Sequence, residues 1–192
     1  MAPVYFETSV FLAILSRQPE AAAVRNLLSE LKADKVRIYT SILTVQEVSV
    51  SAFTHGGVFT DNHTKLAKLA RIKGVTKEIA LTAAKFEADV IAAAKRGAPR
   101  SDHDRIADNR RRKFDIFHLA TAVALNCGVL YTFDEQFSSR CTACGVTLRV
   151  LKPEPRTRNL LDQLQSTPPI STSKRAAASR SSPSKTRVDR EK

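Results

Sequence analysis

The chain has 192 residues, which suits one domain of about 150 residues with a sizeable core and an additional segment. Its formal net charge is +12, from 31 Lys and Arg against 19 Asp and Glu, and this excess favours a polyanionic partner such as nucleic acid. An odd count of 3 cysteines excludes a disulfide framework and predicts a reducing, cytoplasmic setting. No apolar run approaches the ~18 residues of a membrane span, so no membrane partner is expected.

Short β-prone runs alternate with helical patterns along residues 1–151. In chain order, the first predicted elements are a strand over 4–6, a helix from Val10 capped by Thr8 or Ser9, a helix from Pro19, a strand over 36–39, a helix that contains Glu47, a loop over 54–64, a helix over 65–72 and a helix from Thr76 to Ala94. They are followed by a charged loop or insertion over 96–112 with one helical turn near Ile106, a helix with Asp115 in its first turn, a strand over 129–133, a helix over 135–144 and a strand over 146–151. Strands that alternate with helices favour parallel pairing, with helices on both faces of the sheet. The sequence therefore predicts an α/β fold.

The most informative stretch is residues 114–134, FDIFHLATAVALNCGVLYTFD. Asp115 is predicted in the first turn of a buried helix, where a carboxylate suits the positive end of the helix dipole. Gly128 is expected to end that helix. Residues 129–133 have the apolar composition of a strand buried on both faces, and Asp134 follows at its carboxyl end.

The composition changes at Lys152, after which Pro, Ser, Ala and basic residues dominate. We predict a folded domain over 1–151 and a basic Pro/Ser-rich tail over 152–192 that is largely disordered. The tail holds 10 basic and 4 acidic residues, so half of the net charge lies in the domain itself.

Four acidic residues fall near one predicted edge of the sheet. Glu7 and Asp134 follow strands, Asp115 opens a helix, and Glu47 lies within a helix near the same edge. Because parallel strands bring their carboxyl ends together, we expect the four carboxylates to converge. Clustered carboxylates repel one another unless a cation offsets their charge, and the usual cation for oxygen ligands is Mg²⁺ or Mn²⁺. Such an ion can activate a water and stabilise the leaving oxygen of a phosphodiester.

Each acid taken alone has a plainer interpretation. Asp115 could be a helix-dipole partner and Asp134 a helix cap, while Glu47 could be a rim residue and Glu7 a strand-end charge. These interpretations explain the four positions separately but not their coincidence at one sheet edge.

Other candidate ligands are less persuasive. Cys141 and Cys144 have the spacing of zinc ligands, but zinc prefers four ligands and no second pair follows, so with Cys127 they are interpreted as packing thiols. His118 lies one turn after Asp115 and is interpreted as a satisfied helical histidine, with support of the acids as the alternative.

At these residues the sequence resembles the PIN domains, a family whose match is carried by YFETSVFLAIL, SILTVQEV, FDIFHLATA and GVLYTFDEQF. The resemblance implies a three-layer α/β/α sandwich with a central parallel sheet, and a ribonuclease that depends on Mg²⁺ or Mn²⁺ and cleaves RNA. By position it assigns catalytic roles to Glu7, Glu47, Asp115 and Asp134, with Glu7, Asp115 and Asp134 as metal ligands. It also places Thr8 and Thr132 where small hydroxyl residues support the acids.

The resemblance further implies the toxin component of a toxin–antitoxin module, with RNA and a cognate antitoxin as partners. The exposed faces of the first helices and of residues 65–94 are candidate antitoxin surfaces. Pairing with a second copy of the chain is compatible with such a small domain, although no residue pattern specifies it.

One position departs from the family, which usually has Asp where this chain has Glu7. The extra methylene moves the carboxylate, while Mg²⁺ requires oxygens at about 2.0–2.1 Å in near-octahedral geometry. The alternative hypothesis is therefore a catalytically weak or inactive PIN-like module that binds RNA.

A run of basic residues leads into Asp115. We hypothesise that it forms a basic lip that binds RNA phosphates, and the alternative is a solvated loop. The residues of this lip are Arg105, Arg110, Arg111, Arg112 and Lys113.

Overall fold

The computed structural model describes residues 2–54, 59–94 and 102–154. Its elements are β1 (Val4–Phe6), α1 (Thr8–Leu15), α2 (Ala21–Ala33), β2 (Ile38–Ser41), α3 (Ile42–Thr54), α4 (Phe59–Leu69), β3 (Arg71–Lys73), α5 (Lys77–Ala94), α6 (Asp102–Ala124), β4 (Val129–Tyr131), α7 (Gln136–Ala143) and β5 (Arg149–Leu151). Residues 155–192 lie outside the described part, so the predicted tail and its boundary stay predictions.

Five strands form one sheet in the order β3-β2-β1-β4-β5, and every neighbouring pair is parallel. The central strand β1 pairs with β2 on one side and β4 on the other, with Val4 opposite both Ile38 and Val129. The all-parallel sheet confirms the predicted fold class, because each return to the same sheet edge requires a crossover on one of its faces.

The two faces of the sheet pack against two different sets of helices. Successive strand residues point to opposite faces, so Tyr5 enters one core and its neighbours Val4 and Phe6 enter the other. The Tyr5 core is completed by α5, α6 and α7, and the Phe6 core by α1, α2, α3 and α4. The structure is therefore the predicted three-layer α/β/α sandwich.

Parallel pairing places the ends of β1 and β4 at one edge. The Glu7 N–H donates to the Tyr131 carbonyl at 3.0 Å, which fixes the first residue after β1 against the last residue of β4. Helix α1 begins immediately at Thr8, and α3 begins immediately after β2. The short connections hold the polar residues that follow these strands close to the sheet edge.

Several predicted helix starts are wrong, and α2, for example, begins at Ala21 rather than Pro19. Helix α1 begins at Thr8 rather than Val10, because the Glu7 side chain accepts a hydrogen bond from the Ser9 N–H and acts as the cap in place of Thr8 or Ser9. Helix α6 begins at Asp102, so the loop predicted over 96–112 is helical from 102 onward, and residues 95–101 lie outside the described part.

The extended start of α6 also moves Asp115 from the predicted first turn to the interior of the helix. The first half of α6 lacks an apolar stripe, which is why its pattern indicated a loop. It contains strong helix formers such as Arg, Lys and Ala, without Gly or Pro before Ala124. Helix propensity therefore accounts for the first half of α6, where hydrophobic periodicity does not predict a helix.

Gly128 does not end α6, contrary to the prediction. The helix stops at Ala124, and Asn126 adopts the left-handed conformation with φ 52°. Gly128 instead allows a close approach of the chain start, because its N–H donates to the Pro3 carbonyl at 2.8 Å and a Cβ there would lie 3.1 Å from the Ala2 Cβ.

The fourth helix and the third strand were also misassigned from sequence. Helix α4 spans Phe59–Leu69, across part of the predicted loop, and β3 replaces the end of the helix predicted over 65–72. Strand β3 is a three-residue edge strand with two exposed basic residues, a composition that hides its pairing but suits a sheet edge. Among the described residues, no helix is both long and apolar enough to span a membrane.

Candidate active site

Glu7 is held at the sheet edge by its two roles, as the residue after β1 and as the cap of α1. Its Oε2 accepts hydrogen bonds from the Ser9 N–H at 2.9 Å, from the Ser9 hydroxyl and from the Thr132 hydroxyl at 3.0 Å. The residue is buried. Because three donors engage one oxygen, Oε1 is the oxygen through which Glu7 would bind a further group.

Glu47 approaches the same edge from α3 and shares a buried network with His118. Its Oε2 lies 3.0 Å from His118 Nε2 and accepts a hydrogen bond from the Thr8 hydroxyl. His118 is fully buried in α6, and its Nδ1 lies 2.6 Å from the Tyr5 hydroxyl. One histidine therefore connects α6 to α3 and to the central strand.

The electrostatics of this network keep Glu47 ionised. Burial raises the pKa of Glu47, but the hydrogen bond and charge of His118, together with the Thr8 hydroxyl, lower it overall. Burial lowers the pKa of His118, yet the Glu47 hydrogen bond and the charges of Glu7, Glu47 and Asp115 raise it overall. The pair is thus mutually stabilised in its charged form.

Asp115 and Asp134 are joined by a cation from α7. Arg140 Nη1 lies 2.6 Å from Asp115 Oδ2 and 3.0 Å from Asp134 Oδ2. The contact with Asp134 is aligned as a hydrogen bond, whereas the contact with Asp115 is an ion pair only. Asp115 Oδ2 is buried and has no hydrogen-bond partner among the residues that the structure describes. Arg140 is further held by Gln136, whose Oε1 accepts from Nη2 at 2.8 Å.

Asp115 is the most perturbed carboxyl group of this edge. Burial raises its pKa most, and the charges of Glu7 and Asp134 raise it further, while Arg140 and His118 lower it. The pKa of Asp115 stands at about 7 as a result. The positive charge of Arg140 therefore offsets only part of the increase in the Asp115 pKa.

The donor set suits a hard divalent ion. Glu7, Glu47 and His118 each offer a ligand atom, and these atoms all lie within 4.8 Å of one another. Since His118 Nε2 already contacts Glu47, carboxylate oxygens are the available donors. Asp115 Oδ2 is a further buried carboxylate oxygen; among the described residues it lacks a hydrogen bond, but it is ion-paired with Arg140. Oxygen-only ligands fit Mg²⁺ or Mn²⁺.

The structure brings the four predicted acids to one edge in two linked groups. Glu7 and Glu47 lie together on one side, Asp115 and Asp134 share Arg140 on the other, and the charge of Glu7 acts on Asp115. Thr8 and Thr132, predicted as supporting hydroxyls, donate to Glu47 and Glu7 respectively. Their catalytic and supporting roles stay predictions.

The predicted basic lip is only partly described. Lys113 is exposed, and Arg112 is half-buried with its Nε lacking a hydrogen-bond partner among the described residues. The side chains of Arg105, Arg110 and Arg111 lie outside the described part. The proposed lip residues lie on α6 rather than on a loop.

Sequence reasoning missed Arg140 and underrated His118. A local signal for Arg140 exists, because Gln136 and Arg140 stand four residues apart on the helix that follows Asp134, where i and i+4 side chains meet. His118 is a satisfied histidine as interpreted, but one of its partners is the candidate catalytic Glu47. The three cysteines are buried and free, consistent with packing thiols.

Comparisons with known proteins agree with this geometry. The family profile of the PIN domain matches residues 4–142. No curated protein matches the chain by sequence.

Several solved structures share the fold. The VapBC2 complex of Rickettsia felis, bound to a DNA fragment from its promoter, aligns with TM-score 0.55 at 14% identity, over 79% of this chain and 98% of that chain. DNA-bound VapBC from Salmonella typhimurium aligns with TM-score 0.53 at 14% identity, over 79% and 98%. VapBC-1 from nontypeable Haemophilus influenzae aligns with TM-score 0.51 at 17% identity, over 78% and 96%.

At 14–17% sequence identity, these structures support the fold alone. The family profile, in contrast, matches residues 4–142, which is most of the chain. The parallel five-stranded sheet, the four acids at its carboxyl edge and the profile match agree. The chain belongs to the PIN domain family.

Proposed function

We propose that this chain is a Mg²⁺- or Mn²⁺-dependent endoribonuclease. Glu7, Glu47, Asp115 and Asp134 form its catalytic site, and Glu7, Asp115 and Asp134 hold the ion. The observation that carries the proposal is the convergence of carboxylates: Glu7 and Glu47 offer ligand atoms within 4.8 Å of each other, and burial together with the charges of Glu7 and Asp134 raises the pKa of Asp115 to about 7 in spite of its ion pair with Arg140. A divalent ion is the group that such an arrangement favours.

The chain's own residues have distinct tasks in this proposal. The bound ion supplies a Lewis acid that lowers the pKa of an attacking water and stabilises the leaving oxygen. Thr132 and Ser9 orient Glu7, and Thr8 and His118 keep Glu47 ionised, so that its carboxylate can accept a proton from the water. Addition of that water to phosphorus with cleavage of the P–O3′ bond leaves a 3′-hydroxyl and a 5′-phosphate.

RNA and an antitoxin are the partners that we propose. The net charge of +12 supports binding of RNA phosphates, with Arg112 and Lys113 next to the site. The structural neighbours VapBC2 and VapBC-1 support the role of toxin in a toxin–antitoxin module, which would act in the cytoplasm. Exposed apolar side chains on α3 and α5, Val50 and Leu81 among them, support these helices as antitoxin surfaces.

A second candidate function rests on two specific observations. Arg140 already contacts both Asp115 and Asp134, and three donors engage one oxygen of Glu7, which stands where the family usually has Asp. Both features favour a PIN-like module that binds RNA and cleaves it poorly. A homodimer remains a hypothesis for either function, and sedimentation of the purified chain decides it.

One assay separates the two functions. Labelled single-stranded and structured RNAs are incubated with the protein in Mn²⁺ or in chelator, alongside Asp115→Asn and the surface control Asp89→Asn. Asp89 is a suitable control because it forms an exposed ion pair with Lys85. Cleavage that requires Mn²⁺, disappears in Asp115→Asn and persists in Asp89→Asn supports the nuclease.

Retention of RNA without cleavage, unaffected by Asp115→Asn, supports the binding module instead. Glu7→Asp in the same assay tests how the longer side chain acts. A large gain in rate would show that the native carboxylate is badly placed for the ion, since about 1 Å of displacement can cost ~100-fold in rate.

A further inference from the structure

Arg140 is the cation at the centre of the acid cluster. Its side chain is only 11% exposed, and Nη1 lies 2.6 Å from Asp115 Oδ2 and 3.0 Å from Asp134 Oδ2. Helix α7 presents it from a fixed backbone, because Phe137 and Cys141 on the same helix are buried in the core. The packing of α7 therefore fixes the backbone position from which Arg140 reaches the acids.

The contact with Asp115 is nevertheless incomplete. Nη1 is hydrogen-bonded to Asp134 and not to Asp115, and Asp115 Oδ2 has no hydrogen-bond partner in the part of the chain that the structure describes. A single guanidinium charge faces two carboxylates, with the charge of Glu7 acting on Asp115 as well. An ion pair of this kind is easier to exchange for another cation than an aligned, bidentate one.

Arg140 and a divalent ion exclude each other at Asp115. An ion needs a position about 2.0–2.1 Å from the ligand oxygen, and Nη1 at 2.6 Å from the same oxygen occupies that space. The two positive charges also repel each other strongly at such short distances in a buried site. Binding of the ion through Asp115 Oδ2 therefore requires the guanidinium to withdraw.

We propose that Arg140 is a displaceable counterion, which competes with the divalent ion for Asp115 and, once displaced, binds a phosphate oxygen of the RNA. This inference rests on the proposed function. Gln136 holds Nη2 at 2.8 Å, so a short rotation moves Nη1 away from Asp115 and Asp134 while the Nη2 anchor remains. The planar guanidinium then presents its remaining donors to an anion beside the ion.

The first test measures Mn²⁺ affinity by calorimetry in the absence of RNA. It is done at about pH 8, above the pKa of about 7 of Asp115, so that this carboxyl is ionised. Arg140→Gln is compared with wild type and with Arg149→Gln, which removes the same charge from an exposed position on β5. We expect Arg140→Gln to lower the Kd for Mn²⁺ at least about tenfold, because the competing charge is gone. Arg149→Gln should change the Kd less than about twofold, as expected for a screened surface charge.

The second test measures the phosphate role with a single-stranded oligodeoxynucleotide in Ca²⁺, where no cleavage product is required. Arg140→Lys keeps the positive charge but loses the planar fork, so its Mn²⁺ affinity should stay near wild type. Its oligonucleotide affinity should fall about tenfold, in line with the loss of a bidentate phosphate contact. Unfolding midpoints of all variants establish that they fold, and Arg140→Met, which also removes the charge, replaces Arg140→Gln in the calorimetry if Arg140→Gln does not fold.

The outcomes separate this inference from the proposed nuclease. Wild-type binding of Mn²⁺ with an unchanged or weaker affinity in Arg140→Gln overturns the inference and leaves the nuclease standing. Mn²⁺ binding by Arg140→Gln but not by wild type would show that the ion does not displace Arg140, which overturns the inference and also contradicts the proposed metal-dependent nuclease. An oligonucleotide affinity unchanged in Arg140→Lys overturns the phosphate role.

Discussion

His118 Nε2 lies 3.0 Å from Glu47 Oε2, and the other ring nitrogen lies 2.6 Å from the Tyr5 hydroxyl. The ring is fully buried, so neither water nor a mobile side chain can replace these contacts. The same histidine thus stabilises the packing of α6 on the central strand and holds the Glu47 carboxylate at the site.

The His118–Glu47 pair should give the folded state a pH-dependent stability. Glu47 has a pKa lowered from 4.5, so its contribution is present above 4.5 and is lost in acid. His118 has a pKa raised from 6.5, so its contribution is present below 6.5 and is lost as pH rises through the folded-state value. Both contributions to stability are therefore fully present between pH 4.5 and pH 6.5.

We expect His118→Leu to lower the free energy of unfolding by about 2–4 kcal/mol, because it leaves Tyr5 and Glu47 without their partner. Urea unfolding at a series of pH values measures the difference from wild type. It should be largest between 4.5 and 6.5 and smaller on either side. A difference that does not vary with pH would contradict the ion pair, and Tyr5→Phe serves as the control that removes only one hydroxyl.

Asp115→Asn should stabilise the metal-free protein above neutral pH. The carboxyl titrates at 3.8 in an unperturbed chain and at about 7 in the folded state, so the folded state loses stability as pH rises between these values. Asparagine removes that penalty but also one partner of Arg140, so we expect a gain of roughly 2–4 kcal/mol at high pH and little at pH 4. Thermal unfolding in chelator measures it.

The same substitution should abolish stabilisation by the ion. Mn²⁺ should raise the unfolding temperature of wild type by mass action and leave that of Asp115→Asn nearly unchanged. A lower unfolding temperature of the variant in chelator at high pH would mean that Arg140 stabilises Asp115 more than burial destabilises it.

Thr132 should control the affinity for the ion through Glu7. Its hydroxyl donates to Glu7 Oε2 at 3.0 Å and accepts from the Asp134 N–H at 2.9 Å, so it orients two acids at once. Thr132→Val removes the hydroxyl at nearly constant shape and should weaken Mn²⁺ binding about tenfold, as is typical for partners of metal ligands. Calorimetry measures this, with the exposed Thr142→Val as the matched control. Equal affinities for both variants would exclude Thr132 from that role.

Two lysines should flank the path of the RNA. Lys73 ends β3 and Lys152 follows β5, the two outer strands, so they lie on either side of the acids and roughly 19 Å apart across four strand spacings. Each ammonium also lies over an aromatic ring, at 5.5 Å from the Tyr39 centroid for Lys73 and 5.9 Å from the Phe133 centroid for Lys152.

Replacing both lysines with Gln should weaken single-stranded RNA binding and reduce the slope of log K against log salt by about 1 to 1.5. Fluorescence anisotropy across a salt series gives both quantities. Lys32→Gln is the control, because Lys32 is exposed at the end of α2, just before β2 starts at the opposite edge. If Lys32→Gln reduced the slope of log K against log salt just as much per lysine, the effect would come from the overall charge and not from the positions of Lys73 and Lys152.

The cysteines should resist modification in the folded state. Burial raises the pKa of Cys127 to about 12 and those of Cys141 and Cys144 to about 11. At pH 8 a thiol with a pKa of 11 is ionised about one time in a thousand, so alkylation should be slow until urea unfolds the chain. Rapid labelling of any of the three without denaturant, detected by mass spectrometry, would contradict this burial.

The sequence predicted the sheet because its signals are local. The β-prone run at residues 4–6 indicated a strand, and the apolar run at 129–133 indicated a strand buried on both faces; each is followed directly by polar and acidic residues. It failed for α6, whose polar first half is helical by propensity rather than by periodicity. It also failed for β3, which is too short and charged to resemble a strand.

The amino-acid sequence by itself determined the α/β class, the ends of β1 and β5, and the four acids as candidates for one site. Those features depend on apolar periodicity and on residues adjacent in the chain. Only the tertiary structure decided that His118 contacts Glu47, 71 residues away, and that Arg140 joins Asp115 to Asp134. Such partners depend on how α3, α6 and α7 pack against the sheet, and the geometry of packed elements is fixed by many distant contacts together.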